Sequence, residues 1–272
     1  MGSNDIPPPH IPTHVVPTCN LLLQIGGALW TLAYLLYTRE SFQTKSYGMP
    51  LFALALNFAW ELVYALYVAE SPLERAVFTI WLVIDCVMLY GVLKFARFEW
   101  RHSSFVAKNV GGVFVAMVGV ATLGHWTFAN WWLNGEVGRK EGKIYRGVVG
   151  PDTTELGFWS AAFCQTYLSA ASLCQLVVRQ HSGGVSWSIW ATRTFGSIIG
   201  LYLNYGLAWW FWTEAHEYFV SPFALFLWVG GFVCDVAYAF VLWRVQQTEI
   251  VLEDGRKEDG SAANGVHAKK HL

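Results

Sequence analysis

Three carboxylic acids interrupt long apolar stretches of this 272-residue chain. Glu61 lies within NFAWELVYAL, Asp85 within WLVIDCVMLY and Asp235 within CDVAYAF. A carboxylate in an apolar environment loses its hydration, so such residues are rare and mark functional sites by default. Because desolvation favours the neutral form, we expect at least one of the three acids to be protonated at neutral pH. A neutral carboxylic acid in a dry pocket is a proton donor.

One base, Arg193, lies near the start of a further apolar stretch, within SWSIWATRTFGS. It could pair with one of the acids, or its long side chain could extend to the lipid head groups. Each acid also has a structural alternative, which is a hydrogen bond to a neighbouring helix. The neighbours of Asp85 favour that alternative more than those of Glu61 and Asp235 do.

Helical spacing places polar and aromatic side chains beside two of the acids. Asn57 lies one turn before Glu61 and Tyr64 one turn after it, while Tyr238 lies one turn after Asp235. Lipid offers no hydrogen bonds to such groups. We therefore expect these helix faces to point into a helix bundle.

The composition predicts a membrane protein. Only 14% of the residues are charged and 54% are hydrophobic, whereas a soluble domain carries about 25% charged residues. A net charge of −1 gives no electrostatic basis for nucleic-acid binding. The five cysteines show no CxxC spacing, which favours buried thiols over disulfide bridges or metal ligands.

Seven apolar stretches are long enough for a membrane-spanning helix, which needs about 20 residues. The expected fold class is all-α, a polytopic membrane protein with a bundle of seven transmembrane helices. We expect three parts: a lumenal segment of residues 1–15, a transmembrane domain of residues 16–243, and a polar, disordered tail of residues 244–272. The predicted spans are residues 16–37, 49–68, 76–96, 108–126, 156–178, 187–212 and 222–243.

Lysine and arginine residues are concentrated on the side of the bundle that holds the C-terminus. The positive-inside rule then predicts a cytosolic C-terminus and a lumenal N-terminus. The chain ends in KKHL, with lysines third and fourth from the end. This is the pattern of a dilysine retrieval signal and predicts the endoplasmic reticulum, although two lysines in a polar tail also arise by chance.

The segment of residues 127–155 carries too many charges and glycines to cross a membrane. On the same side lie His125 and the EAHE sequence of residues 214–217. These residues could bind a metal, but their spacing matches no known ligand set, and we expect a solvated loop instead.

The motifs NFAWELVYAL, WATRTFGS and CDVAYAF resemble those of the fungal integral-membrane terpene cyclases of meroterpenoid and indole-diterpene biosynthesis. The resemblance covers residues 16–243 and includes the seven-span layout. It implies an enzyme that protonates an epoxide or alkene of a prenyl chain and closes rings through carbocations. By motif, the two essential acids of the family correspond to Glu61 and Asp235. We favour Glu61 as the proton donor, with Asp235 assisting or acting as the terminal base; the reverse assignment is the alternative.

The resemblance also implies a hydrophobic substrate. It would be a polyketide or indole head carrying an epoxidised farnesyl or geranylgeranyl chain, supplied by an upstream prenyltransferase and epoxidase. Aromatic faces stabilise carbocations. The chain has neither a DDxxD motif for magnesium nor a DxDD motif, so we expect no metal and no organic cofactor. The expected substrate-binding residues are Asn57, Trp60, Tyr64, Asp85, Arg193, Trp228, Phe232 and Tyr238.

Two other functions fit a bundle of seven helices. A light-driven retinal pump needs a lysine in the middle of a span, and none of the predicted spans has one away from its ends; this test does not exclude a receptor. A small-molecule or proton-coupled transporter could use the acids as a proton relay. Transporters often show internal repeats and broken helices, which are not evident here. The transporter remains the alternative to the cyclase.

Overall fold

The computed structural model of the protein describes residue 2 and residues 4–260. Nine α-helices occur within these residues, and five of them exceed 25 residues. Two π-helical segments, Tyr64–Val68 and Ile198–Leu203, continue α2 and α6, respectively. The helices are α1 Val15–Thr44, α2 Leu51–Val63, α3 Pro72–Glu99, α4 Ser104–Asn134, α5 Thr153–Arg179, α6 Trp187–Ser197, α7 Asn204–Phe211, α8 Thr213–His216 and α9 Pro222–Thr248.

Six helices in the described part of the chain are long and apolar enough to cross a membrane. They are α1, α2 with its π-helical continuation, α3, α4, α5 and α9. The prediction of a helical membrane protein is thus confirmed, whereas the count of seven spans is not. Over the predicted sixth span, the structure has α6, a π-helical segment and α7 in succession. This stretch contains Arg193, Asn204 and several Gly, Tyr and Trp residues, which weaken its apolar character.

Local sequence signals set the helix starts. The Ser71 side chain accepts from the Glu74 amide, and Pro72 occupies the first helical position of α3, where its missing N–H is harmless. Ser221 caps α9 in the same way. The Asp152 side chain accepts from two amides at the start of α5.

The helices pack around a core of tyrosine and aliphatic side chains. The most extensive helix pairs are α5 with α9, α2 with α4, and α1 with α6. α1 and α6 approach closely because glycines face each other: a Cβ on Gly26 would lie 2.5 Å from the Gly200 Cα. The residues buried at the centre include Tyr34, Tyr37, Leu54, Leu168, Tyr238 and Leu242.

Two short antiparallel hairpins lie at the two ends of α5. β1 (Arg139–Tyr145) and β2 (Val148–Pro151) pair just before α5 begins. β3 (Glu249–Val251) and β4 (Lys257–Asp259) pair after α9 ends. Glu249 of β3 accepts from the Ser182 amide at 2.6 Å, in the loop that follows α5.

The second hairpin corrects the expectation of disorder for residues 244–260. α9 continues to Thr248, and the polar side chains beyond it find charged partners on neighbouring loops. Lys257 Nζ lies 3.0 Å from Glu249, and Arg101 donates to Glu258 at 2.8 Å. The KKHL sequence lies outside the described residues.

Candidate active site

Glu61 is buried in the middle of the bundle, with only 1% of its surface exposed. Its Oε1 accepts a hydrogen bond of 3.0 Å from the Tyr34 hydroxyl of α1. The Asn57 amide, one turn earlier on α2, donates to the same hydroxyl at 3.1 Å. Among the described residues, Glu61 Oε2 has no hydrogen-bonding partner other than the neighbouring carboxyl group of Asp85. One oxygen of this carboxyl is therefore held, and the other is available to a substrate or a proton.

Asp85 is fully buried at the middle of α3, and its carboxyl group lies next to that of Glu61. Trp81, one turn earlier, packs edge-on against Tyr34 with 6.1 Å between ring centroids, which brings this face of α3 to the Glu61 site. Apart from the neighbouring Glu61 carboxyl group, neither oxygen of Asp85 has a hydrogen-bonding partner within the described part of the chain. We call Glu61 and Asp85 the acid pair.

Asp235, at the middle of α9, has a different environment. Its Oδ1 accepts from Arg193 Nη2 at 2.6 Å, and its Oδ2 accepts from Gln165 Nε2 at 3.4 Å. Arg193 also donates to Ser172 at 3.1 Å and lies 5.3 Å from the ring centroid of Tyr238. We call Arg193 and Asp235 the buried ion pair. Of the two roles predicted for Arg193, the structure has the pairing with an acid, and the side chain does not extend to the head groups.

The acid pair and the buried ion pair meet neighbouring faces of the same turn of α5. Cys164 lies near Glu61, while the adjacent Gln165 binds Asp235. The acid next to Glu61 is therefore Asp85, a neighbour that helical spacing within α2 could not reveal. Asp85 could have been found from its position along the chain. Both acids lie near the middle of consecutive antiparallel spans, so they are at the same depth in the membrane.

An aromatic wall begins beside Glu61 on α2. Trp60 stacks on Tyr64 with 4.3 Å between centroids and 14° between ring planes. Phe78 of α3 packs edge-on against Trp60 at 5.0 Å. The Trp60 indole and the Tyr64 hydroxyl both donate to Ser160, at 2.9 and 2.6 Å, which fixes the two rings. This wall offers π faces at the depth of the acid pair.

The other predicted binding residues are spread out. Tyr238 is buried beside the buried ion pair. Trp228 stacks on Phe219 at 6.0 Å, and its indole nitrogen is buried without a partner among the described residues. Phe232 is 43% exposed on the outside of α9. Its predicted contact with substrate is not supported, because residues 228, 231, 235 and 238 follow the inner face and position 232 does not.

The predicted solvated loop is wrong for its two histidines. His125 is buried on α4, with Nε2 3.7 Å from the Cys164 Sγ. His216 is buried too, with Nδ1 2.8 Å from the Tyr218 hydroxyl. Glu214 and Glu217 are exposed, as expected of a loop. The described residues contain no group of three or more side chains arranged to bind a metal.

Charged side chains instead form a buried network at this end of the bundle. Lys143 of β1 is 1% exposed and lies 2.8 Å from Asp5 and 3.5 Å from Asp152. Lys140 pairs with Asp152 at 3.3 Å and also with Glu155. We call these five residues the terminal ion cluster. It joins the N-terminal segment, β1 and the start of α5, which is an arrangement that the loop composition did not indicate.

The terminal ion cluster also affects the histidine beside it. His216 Nε2 lies 3.5 Å from Lys143 Nζ. Burial, together with the charges of Lys143 and Lys140, lowers the pKa of His216 well below its usual value. Burial raises the pKa of Asp5, although Lys143 acts in the opposite direction. His216 is therefore neutral in the folded protein at neutral pH.

Comparison with known proteins identifies similar sequences. The family described as Pyr4-like transmembrane terpene cyclases matches residues 3–248. Terpene cyclase ascF of Acremonium egyptiacum is 44% identical over 251 residues, which cover 92% of this chain and 90% of that protein. Terpene cyclase dpchB of Colletotrichum higginsianum is 34% identical, over 86% of this chain and 88% of that protein. Terpene cyclase pyr4 of Aspergillus fumigatus is 30% identical, over 82% and 85%. No solved structure matches this chain.

Proposed function

The chain belongs to the Pyr4-like transmembrane terpene cyclases, and from this premise we propose that Glu61 starts the cyclisation by protonating the prenyl chain of a meroterpenoid precursor. As a membrane terpene cyclase the protein acts on a hydrophobic prenyl substrate, and the transporter alternative falls away. The observation that carries the proposal is the acid pair, two carboxyl groups buried at mid-depth, three of whose oxygens have no partner outside the pair among the described residues.

The proposed reaction needs one proton at its start. Transfer of that proton from Glu61 to the epoxide oxygen of a farnesyl or geranylgeranyl chain breaks a C–O bond and leaves a cation at carbon. The neighbouring double bonds attack in turn, and each attack closes a ring and moves the cation along the chain. Loss of a proton at the end gives a product isomeric with the substrate. An alkene could take the first proton in place of an epoxide.

The aromatic wall fits the cationic stage of this reaction. Trp60 and Tyr64 are fixed by Ser160 and present π faces beside the donor. Contacts between a cation and such faces are worth about 0.5–2 kcal/mol each. A rigid wall of this kind would stabilise the cation and exclude water that would otherwise end the cascade early.

We assign the donor role to Glu61 rather than Asp235 because their hydrogen bonds differ. Both oxygens of Asp235 accept hydrogen bonds, from Arg193 at 2.6 Å and from Gln165 at 3.4 Å, so a proton on this carboxyl would displace one of these donors. Glu61 has one oxygen without a partner outside the acid pair in the described part of the chain. In this proposal Asp235 keeps its charge and assists by stabilising the later cations.

We also propose that the protein resides in the endoplasmic reticulum membrane, with a lumenal N-terminus and a cytosolic C-terminus. The N-terminal segment contacts β1 before α5, where the Ile6 amide donates to Gly142 at 2.8 Å. The β3–β4 hairpin contacts the loop after α5. Termini at opposite ends of α5 require an odd number of crossings, which supports residues 187–211 as the seventh span. Glycosylation acceptor sites placed in residues 4–12 and in the loop after α5 would test this orientation.

The activity is tested with membranes that contain the protein and an epoxyfarnesyl–polyketide substrate. Mass spectrometry and NMR should find an isomeric cyclic product with the wild type and none with Glu61→Gln. Glu141→Gln, at an exposed position of β1, is the matched control and should retain full activity. An epoxide that stays unchanged with the wild type across a panel of prenyl lengths, or a Glu61→Gln variant with normal activity, would overturn the proposal.

The substrate implies neighbours in the pathway. A prenyltransferase must attach the chain to the head group, and an epoxidase must oxidise its terminal double bond, before Glu61 has an oxygen to protonate. We propose that both enzymes belong to the same secondary-metabolic pathway.

A further inference from the structure

Once Glu61 has donated its proton, its surroundings must stabilise the carboxylate that remains. The resulting carboxylate is buried in an apolar bundle, where a negative charge is stable only if hydrogen-bond donors face it. The Tyr34 hydroxyl faces Oε1 at 3.0 Å. Apart from Asp85, no donor of the described residues faces Oε2. The group that lies next to this carboxyl is Asp85.

Asp85 itself lacks any donor. Both of its oxygens are buried, and the carboxyl group of Glu61 is the one partner they have among residues 4–260. Arg193, the buried base of the bundle, is engaged by Asp235 and Ser172 instead. A fully buried carboxylate with neither a cation nor a donor is unfavourable, so Asp85 has to carry a proton. Its protonated form is the one in which it can donate a hydrogen bond.

We propose that Asp85, in its neutral form, donates a hydrogen bond to Glu61 and stabilises the carboxylate that remains once the Glu61 proton has passed to the substrate. This inference rests on the proposed donor role of Glu61. Asp85 acts through Glu61 and need not touch the substrate, so it is a positioning residue. In the step itself, the O–H bond of Glu61 breaks, an O–H bond to the substrate forms, and the Asp85 proton stays on Asp85.

Asn57 and Tyr34 complete the arrangement. The Asn57 amide donates to the Tyr34 oxygen at 3.1 Å, which directs the hydroxyl hydrogen of Tyr34 towards Glu61. Tyr34 and Asp85 would then face the two oxygens of Glu61 from α1 and α3. A carboxylate met by two preorganised donors is more stable, so the corresponding acid gives up its proton more readily.

Two substitutions at Asp85 test the role. Asp85→Asn keeps a neutral donor of similar size and should retain activity within about 10-fold. Asp85→Leu removes the donor and should lower kcat by about 100-fold with an unchanged KM, as removal of one such donor does elsewhere. In Asp85→Leu the alkaline limb of the pH–rate profile should also move to higher pH, because Glu61 then holds its proton more tightly. A change in packing alone would not move that limb.

The controls separate this inference from the proposed function. Loss of all activity in Asp85→Asn, as in Glu61→Gln, would mean that Asp85 delivers the proton itself. Full activity in Asp85→Leu would leave Asp85 a packing role only. Either result overturns the inference and leaves acid-initiated cyclisation in place. A wild-type protein without cyclase activity would instead overturn the proposed function.

A second readout does not depend on activity. The infrared spectrum of the purified wild-type protein should contain the carbonyl stretch of a protonated carboxyl group that is absent from both Asp85 variants. A spectrum that is the same in all three proteins would overturn the assignment of a neutral Asp85.

Discussion

The middle of the bundle and its β1–β2 end both bury ionisable side chains, but only in the terminal ion cluster at the β1–β2 end is every one of them paired with an opposite charge. At the β1–β2 end, Lys143 lies between Asp5 and Asp152, and every charge of the terminal ion cluster has an opposite charge beside it. In the middle, Glu61 and Asp85 face each other, and neither carboxyl group has a basic partner among the described residues. Buried charges that are paired hold elements together, whereas buried acids that lack partners can exchange protons.

The buried ion pair lies between these two cases. Arg193 and Asp235 are at the depth of a catalytic group, yet they pair with each other and with Gln165 and Ser172, as structural groups do. The comparison therefore predicts that loss of Glu61 affects rate more than stability, and that loss of Arg193 affects stability first.

The largest effect is expected for Glu61→Gln. Removal of a general acid should lower kcat by about 10²- to 10⁴-fold. The free energy of unfolding should change by less than about 1 kcal/mol, because the amide can still accept from Tyr34. Cyclisation rates and thermal unfolding, measured in the same detergent, check the two halves of this prediction. A large loss of stability in Glu61→Gln would show that the acid pair has a structural role instead of a catalytic one.

The next effect is expected for Arg193→Met. This change leaves Asp235 buried and unpaired, which should lower the free energy of unfolding by about 3–5 kcal/mol. Arg244→Met, at an exposed position of the same helix as Asp235, is the control and should be nearly neutral. The double variant Arg193→Met with Asp235→Leu should regain most of the stability, because no unpaired charge remains. If it also regains activity, Asp235 has no part in the reaction.

A smaller effect is expected from pH at the terminal ion cluster. The pKa of His216 is lowered in the folded protein, so below about pH 6.5 the unfolded chain binds a proton that the folded protein does not. Stability is therefore complete above that pH and falls as the pH decreases, by at most about 1.4 kcal/mol per pH unit. Unfolding temperatures between pH 5 and 7.5 should show this slope.

The matched variants for this slope are His216→Gln and His102→Gln. The first should flatten the dependence, and the second, at an exposed histidine, should leave it as in the wild type. Equal slopes in all three proteins would show that another group causes the loss.

The smallest effects on the cyclisation rate are expected from substitutions of two aromatic side chains. Trp60→Leu removes a π face next to the acid pair and should slow cyclisation by about 2- to 30-fold, the equivalent of about 0.5–2 kcal/mol. Phe232→Leu, on the outside of α9, should leave the rate unchanged. Initial rates of product formation, measured at equal amounts of folded protein, test both, and a larger effect at Phe232 would support its predicted place in the substrate site.

The sequence was sufficient for the features that depend on one helix at a time. Apolar length predicted the membrane helices, and the interrupted apolar runs identified Glu61, Asp85 and Asp235 as buried. Contacts between helices could not be predicted from the sequence. Spacing along α2 finds Asn57 next to Glu61 but cannot find Asp85 or Tyr34, because their positions depend on how α1 and α3 pack. The same limit applies to Arg193, whose partner lies on another helix.

Predictions from composition were wrong where charged residues pair with one another. The loop before α5 and the first residues after α9 are polar, and the usual inference is solvation or disorder. In the structure, Lys143 is buried, and Glu249 binds Ser182 and Lys257. A polar segment folds when its charges are complementary to those of another segment, and that information lies outside the segment itself.

The pairing of Asp5 with Lys143 also has a consequence for biogenesis. The two residues are 138 positions apart in sequence. The ribosome makes the acid first, and the lysine follows only when α1 to α4 have already been synthesised. Asp5 in the N-terminal segment therefore has no partner while α1 to α4 are inserted into the membrane. Assembly of this end of the protein can begin only about halfway through translation, when β1 arrives.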